Sequence, residues 1–316
     1  MQNQQVRRLT DGALMAAVFT VMLVISVYVP IFSLLTALFL AVPAAWYSAK
    51  YGWRASLVFA LVSLALSALL GGFLAVPLAL IHLPFGLAIG LSLYYKKSKL
   101  YLFLSAGLSL LASLMVQYVA AVAFLGINAI EEMRLQLEDS YAQAGVWAER
   151  MGSDMEAYNA TVSQMLFTLE TMLPTLFVMA GFIIAWGVLS VQLPLLKRLG
   201  VASPKFPSFR ELRLPKSVLW YFLIIMLITL LFEPQPGTML YMALMNLTLL
   251  LNMLFFLQGI SFYHFYIHQE GWPKWVTVLV TVLAVPLQSF TTIVGIIDLA
   301  FNIRGWLKRA HEFKGK

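Results

Sequence analysis

The chain has 316 residues, 61% of them hydrophobic and only 11% charged, with a mean hydropathy of +0.85 and a formal net charge of +7. Soluble domains carry about 25% charged residues, so this composition excludes a water-soluble globular protein. Nucleic-acid binding is excluded because the basic residues stand in short loops between apolar runs, and the absence of cysteine removes disulfides, thiolate nucleophiles and Cys-ligated metals.

A membrane-spanning helix needs about 20 apolar residues, and lysines and arginines concentrate in cytoplasmic loops. Arg7 and Arg8 therefore place the N-terminus in the cytoplasm. Residues 12–49 hold no charged side chain, a charged knot follows at Lys50-Tyr-Gly-Trp-Arg54, and residues 55–95 are again uncharged. Pro30 and Gly71-Gly72 divide these two runs, which predicts four spans hinged on the 50–54 loop. The fourth returns to Lys96, Lys97 and Lys99, and a fifth covers residues 100–127. No cleavable signal peptide is expected, since the first apolar run lacks a small-residue cleavage site and more spans follow.

Residues 128–164 are polar and hold seven of the fourteen acids against two bases, Arg134 and Arg150, a balance that belongs outside. Apolar residues recur at Ile130, Met133, Leu137, Tyr141, Ala144 and Trp147, one face of an amphipathic helix. Such a stripe predicts a cover over the outer mouth of the first six spans, with Met133, Leu137 or Trp147 in contact with them. A hairpin lying on the outer surface is the alternative.

A sixth span over residues 172–196 lands on the densest basic loop, with Lys197, Arg198, Lys205, Arg210, Arg213 and Lys216 among Pro204, Pro207 and Pro215. A seventh covers 217–232 and an eighth 239–264. A ninth apolar run, 275–301, would leave its trailing Arg304, Lys308, Arg309, Lys314 and Lys316 outside if it crossed once. A bend near Pro286 returns them inside, so that every basic residue except Arg134 and Arg150 is cytoplasmic. The expectation is an all-α polytopic bundle of about eight spans, the last of nine apolar segments broken or re-entrant. Its parts are a six-span bundle (1–200) carrying the external insertion (128–165), a basic linker (201–217), and further spans with a basic tail (218–316).

Polar side chains within the bilayer are the first functional candidates. His82, Gln117 and Tyr118, with Asn128 at the outer end of the fifth span, could line an outward-opening small-solute pocket. The alternative is that they bond neighbouring helices. Asn246, Asn252, Gln258 and His264 recur in steps of six and form no single stripe. His264 and His268 share a face, but no third ligand accompanies them, so no metal is expected. Asp298 is the one acid deep in a predicted span and should pair with Asn302, Arg304 or another helix; a proton relay would need further titratable partners. Small residues at Ala13/Ala17, Ser63/Ser67 and Gly86/Gly90 allow close helix approach. The chain holds no HExxH, GxSxG, phosphate loop or paired intramembrane carboxylates, so neither catalysis nor a cofactor is expected, and any ATP would be hydrolysed elsewhere.

The plan of the chain, and its ending Gly295-Ile-Ile-Asp298-Leu-Ala-Phe-Asn-Ile-Arg304 above all, resembles the YybS family of bacterial multi-pass membrane proteins. Residues 1–200 also resemble the S-components of energy-coupling factor transporters, in the Ala13-x-x-x-Ala17 pair, the prolines after it and the Tyr51-Gly52 turn. That second resemblance implies that Ala13 and Ala17 contact a membrane coupling subunit and that a small solute binds near the outer helix ends. The long first outer loop of S-components is reduced here to residues 30–33, and three extra apolar segments follow. The functional expectation is a solute-binding or transport-associated subunit, and the competing one is a scaffold that assembles envelope proteins.

Overall fold

The computed structural model describes residues 2–204 and 208–314, and the expectations placed on Lys205, Pro207 and Lys316 lie outside these residues. In chain order the helices are α1 (Gln2–Tyr28), α2 (Pro30–Phe39), α3 (Val42–Gly71), α4 (Ala75–Tyr94), α5 (Lys99–Ala120), α6 (Ala129–Arg150) and α7 (Met155–Arg198). They continue as α8 (Ser217–Phe232), α9 (Met239–Gln269), α10 (Lys274–Ala284), α11 (Gln288–Phe301) and α12 (Ile303–Lys314). A π-turn extends α5 over Ala121–Leu125, and a short 3₁₀ turn covers Phe209–Glu211. No strand occurs among the described residues.

Six of these helices are long and apolar enough to cross a membrane, or seven if α10 and α11 count as one bent span. The expected count of about eight differs for two physical reasons. α8 has 16 residues, about 24 Å at 1.5 Å each, which is short of a 30 Å hydrocarbon core. Residues 31–71 count as a single helix, yet the chain reverses within it. Gly52 has φ 72° and ψ −177°, and the rings of Tyr47 and Phe59 stack with centroids 4.8 Å apart. In a straight helix twelve residues would separate them by about 18 Å. α3 is therefore a hairpin whose arms meet at the charged knot.

The chain divides into two units, Met1–Met155 with Val178–Phe206, and Glu156–Phe177 with Pro207–Lys316. The second unit thus takes in part of α7 as well as the chain beyond the linker.

Unit 1 has two cores. One gathers Ala16, Phe19 and Leu23 of α1, Ala44, Tyr47, Ala55 and Phe59 of α3, and Ala75, Ala79 and Leu83 of α4. The other joins Ala41, Ala45, Phe85, Ile89, Leu102 and Ala106 to Ala185, Leu189, Leu193 and Leu196 of α7. α4 can lie directly on the first arm of α3 because Gly86 and Gly90 lack side chains; a Cβ at either would overlap the carbonyl of Ala41 or Ala45. Without a hydrophobic drive between helices in lipid, such close approach is what holds a bundle together. The fully buried Gln192 donates to the Leu38 carbonyl at 2.9 Å, satisfying an acceptor where α2 ends.

α6 is stabilised by local contacts. Asn128 caps it by accepting the Glu131 N–H at 3.2 Å, and Arg134 pairs with Glu131 and Glu138 at 2.9 and 3.1 Å. Arg134 holds the Glu131 carboxyl below its usual range by hydrogen bonding. Only Gly145 of this helix is buried. Met133 and Trp147 are exposed and Leu137 half-buried, so the apolar stripe does not form the expected cover. Caps and i, i+3/i+4 pairs sustain such a helix with little burial. α7 runs unbroken for 44 residues, about 66 Å, and so fuses the end of the polar segment to the sixth span.

In unit 2, α8 and α9 enclose Val218, Ile225, Leu244, Leu251, Phe255 and, from α11, Leu299. Asn246 of α9 accepts the Thr175 N–H at 3.1 Å and donates to the Thr171 carbonyl at 2.7 Å, next to Pro174 of α7. α10 and α11 meet at a bend of 112° at residues 285–287, where Pro286 interrupts the helix. His264 of α9 bonds Thr281 of α10 at 2.7 Å, Ala284 packs with Phe256 and Ile260, and Arg304, past α11, reaches Ser261 at 3.2 Å. The bent segment thus begins and ends in contact with the C-terminal half of α9.

Candidate functional site

The four residues predicted to line a solute pocket are all engaged by protein. His82 lies half-buried on α4 with its Nδ1 2.8 Å from the Leu78 carbonyl of the same helix. Gln117 donates from α5 to the Pro77 carbonyl of α4 at 3.0 Å. The Tyr118 hydroxyl donates to Asn128 Oδ1 at 3.0 Å, the oxygen that also caps α6. The structure therefore joins Tyr118 to Asn128, while Gln117 and His82 make separate contacts with backbone.

Ala13 and Ala17 are exposed, along the edge of the α1 face that buries Ala16, Phe19, Thr20 and Leu23. Below them Asp11 accepts hydrogen bonds from Lys50 and Tyr51. Lys50 also lies over the Trp46 ring, 4.5 Å from its centroid. These contacts fix α1 to the turn of the α3 hairpin.

The densest polar chemistry lies in unit 2, around Asp298. Gly295 comes first: a Cβ there would overlap the Phe255 carbonyl, and one at Gly259 would overlap that of Thr291. Two glycines thus bring the backbones of α9 and α11 together. Three residues on, nearly one helical turn and on the same face, Asp298 meets Gln258, whose Nε2 donates to Oδ2 at 2.6 Å. Asn302 then adopts the left-handed conformation with φ 51°, which ends α11 and turns the chain back. Arg304 follows and donates its Nε to the same Asp298 oxygen at 2.8 Å. The Gly-x-x-Asp and arginine spacing is thereby explained, with one residue for approach, one for charge, and a turn that returns the counter-ion.

The rest of Arg304 faces the linker. Its Nη1 donates to the Arg210 carbonyl at 2.8 Å, and its Nη2 lies 3.2 Å from Ser261 Oγ. The single Ser261 hydroxyl hydrogen is shared between the carbonyls of Phe209 and Leu212, at 2.8 and 3.0 Å, and Gln258 Oε1 accepts the Leu214 N–H at 3.0 Å. Asp298, Gln258 and Ser261 are 0% exposed and Arg304 5%. The backbone of residues 209–214, a 3₁₀ turn and the stretch that follows it, is thus satisfied by three side chains that the ion pair holds in place. Asp298 Oδ1 has no partner among the described residues. Asn302 does not pair with Asp298; its Oδ1 accepts from Arg213.

This arrangement neutralises its charges internally and locks the linker. His264 is taken by Thr281, and among the described residues no group of three His, Cys, Asp or Glu could hold a metal. Sequence reading identified Asp298 and its partner Arg304 but missed Ser261. The signal was present: Gln258 and Ser261 stand three apart on one helix face, with Gly259 between them.

A family described as a predicted membrane protein (DUF2232) matches residues 17–299. The protein YybS of Bacillus subtilis (strain 168) is 29% identical over 310 residues, covering 96% of this chain and 100% of that relative. No solved structure matches. The matched region covers both units, from α1 through the Gly295–Asp298 corner, and the chain belongs to the DUF2232 family of predicted membrane proteins.

Proposed function

We propose that this protein is a transport-associated subunit of a bacterial cytoplasmic membrane, without catalytic activity or an ATPase of its own, that works by holding a partner membrane protein against α1. The N-terminus lies in the cytoplasm in this reading. The observation that carries it is the exposure of Ala13 and Ala17 along the edge of the packed face of α1. Lipid alone gives no reason for small residues there, whereas a partner helix needs them to approach closely. The polar cluster of Asp11, Lys50 and Tyr51 supports the same reading, because it holds the docking face at a fixed orientation to the α3 hairpin. Ala17→Leu tests it: the variant should reach the membrane at normal levels and lose its copurifying partner. Normal levels with an unchanged partner profile would refute the docking face.

A second reading, an assembly scaffold for envelope proteins, is favoured by one observation: His82, Gln117, Tyr118 and Asn128 spend their polar groups on protein. The identity of the partner separates the two. A transport coupling subunit with its ATPase supports the first, and cell-wall or division proteins support the second.

A further inference from the structure

We propose that the end of unit 2 formed by the linker and α12 binds anionic phospholipid headgroups, with Arg210, Arg213 and Arg309 supplying the cations. Charge is the first observation. Every Lys and Arg of unit 2 falls in the linker, at Lys274, or from Arg304 onward. Glu170 and Glu233 belong to the opposite end of α9, and the other acids from the linker onward, Glu211, Glu270, Asp298 and Glu312, are outnumbered by the nine basic residues of unit 2. The ion pair at Asp298 consumes only Arg304. Arg213 bonds a neutral partner, Asn302. Glu211, the acid within the linker, is bonded to Ser208. Among the described residues none of Arg210, Lys216, Lys274 and Arg309 is in an ion pair.

The second observation is the placement of tryptophan. Trp220, Trp272, Trp275 and Trp306 are the tryptophans of unit 2. They lie at the start of α8, at the α9–α10 turn and on α12, and all are at least half exposed. Tryptophan concentrates at the level of lipid headgroups, where its ring is apolar and its N–H is wet. α12 itself repeats apolar residues at Ile303, Trp306, Leu307 and Ala310 with cations between them, the pattern of a helix lying in that layer. The geometry joins the two features. Arg304 bonds the Arg210 carbonyl and Arg213 bonds Asn302, so the linker arginines are fixed at the α11–α12 corner. Guanidinium forks match a phosphodiester in two-point hydrogen bonds, and a zwitterionic lipid would bring a choline cation against them.

The test uses the full chain reconstituted in phosphatidylcholine bilayers that contain a minority of phosphatidylglycerol, then extracted in mild detergent for quantification of the lipid retained. Phosphatidylglycerol should be retained well above its share of the bilayer. Each of Arg210→Gln, Arg213→Gln and Arg309→Gln should lower that retention by about fivefold. Arg309→Gln decides the matter if the linker variants unfold, because this side chain is exposed and makes no ion pair among the described residues, and Arg54→Gln in unit 1 should change nothing. Retention in proportion to bilayer composition, an undiminished signal in Arg309→Gln, an equal loss in Arg54→Gln, or displacement by inorganic phosphate alone would each overturn the proposal.

Discussion

Replacing one member of the Asp298–Arg304 pair should cost far more than replacing both. Asp298 is 0% exposed and Arg304 5%, so Asp298→Leu leaves a guanidinium buried without its counter-ion. Breaking a buried pair in this way costs about 3–5 kcal/mol. Gln258 also loses an acceptor, and a stranded donor adds about 1–3 kcal/mol. Arg304→Met strands the carboxylate, and the linker carbonyl of Arg210 loses its donor. The double variant puts apolar side chains in place of both charges, which in other proteins is neutral or stabilising. A coupling of about 3 kcal/mol is therefore expected, a large part of a total stability of about 5–15 kcal/mol. Because the chain lacks cysteine, Leu214→Cys can report the linker through its rate of maleimide labelling in detergent. Each single variant should label about a hundredfold faster than the parent, and the double variant should return to within about tenfold of it. Single variants that label at the parent rate would show that the linker is held by packing alone. A double variant as fast as the singles would refute the charge-pair reasoning.

Other predictions follow from close packing and from charge. Gly295→Val should force α11 off the Phe255 carbonyl and lower thermal stability by at least about 1–3 kcal/mol. Gly187→Ala should be neutral or stabilising by up to about 1 kcal/mol, since a Cβ there meets open space. In intact cells a membrane-impermeant thiol reagent should label a cysteine at Glu138 but not one at Lys97; the reverse pattern would invert the proposed orientation.

The fold was legible in the sequence wherever a single local signal dominated. Uncharged runs gave the helices, and Pro286 gave the break in the last segment. Lys50 to Arg54, with Gly52 at their centre, marked the reversal inside α3. Asn128 and the stripe after it marked α6, but the stripe misled on function, because apolar periodicity alone does not distinguish a helix that covers something from one held by its own caps and ion pairs. The site was only half legible. Gly295, Asp298 and Arg304 are close in sequence, and their spacing can be read along one helix face and a turn. Gln258, Ser261 and the linker carbonyls lie some 40 to 95 residues away, and no local pattern pairs them. His82 and Gln117 show the converse. Their depth in the bilayer drew attention, yet their partners are backbone carbonyls at Leu78 and Pro77, acceptors that every span possesses.

The account turns on whether α1 presents its small face to a protein or to lipid. A photo-crosslinking residue at Leu14, exposed beside Ala13 and Ala17, measures this in native membranes, with exposed Leu61 on α3 as the control. A discrete adduct with one membrane protein from position 14, absent from position 61 and lost in Ala17→Leu, is the predicted result. Lipid adducts alone, or the same protein adducts from both positions, would contradict it.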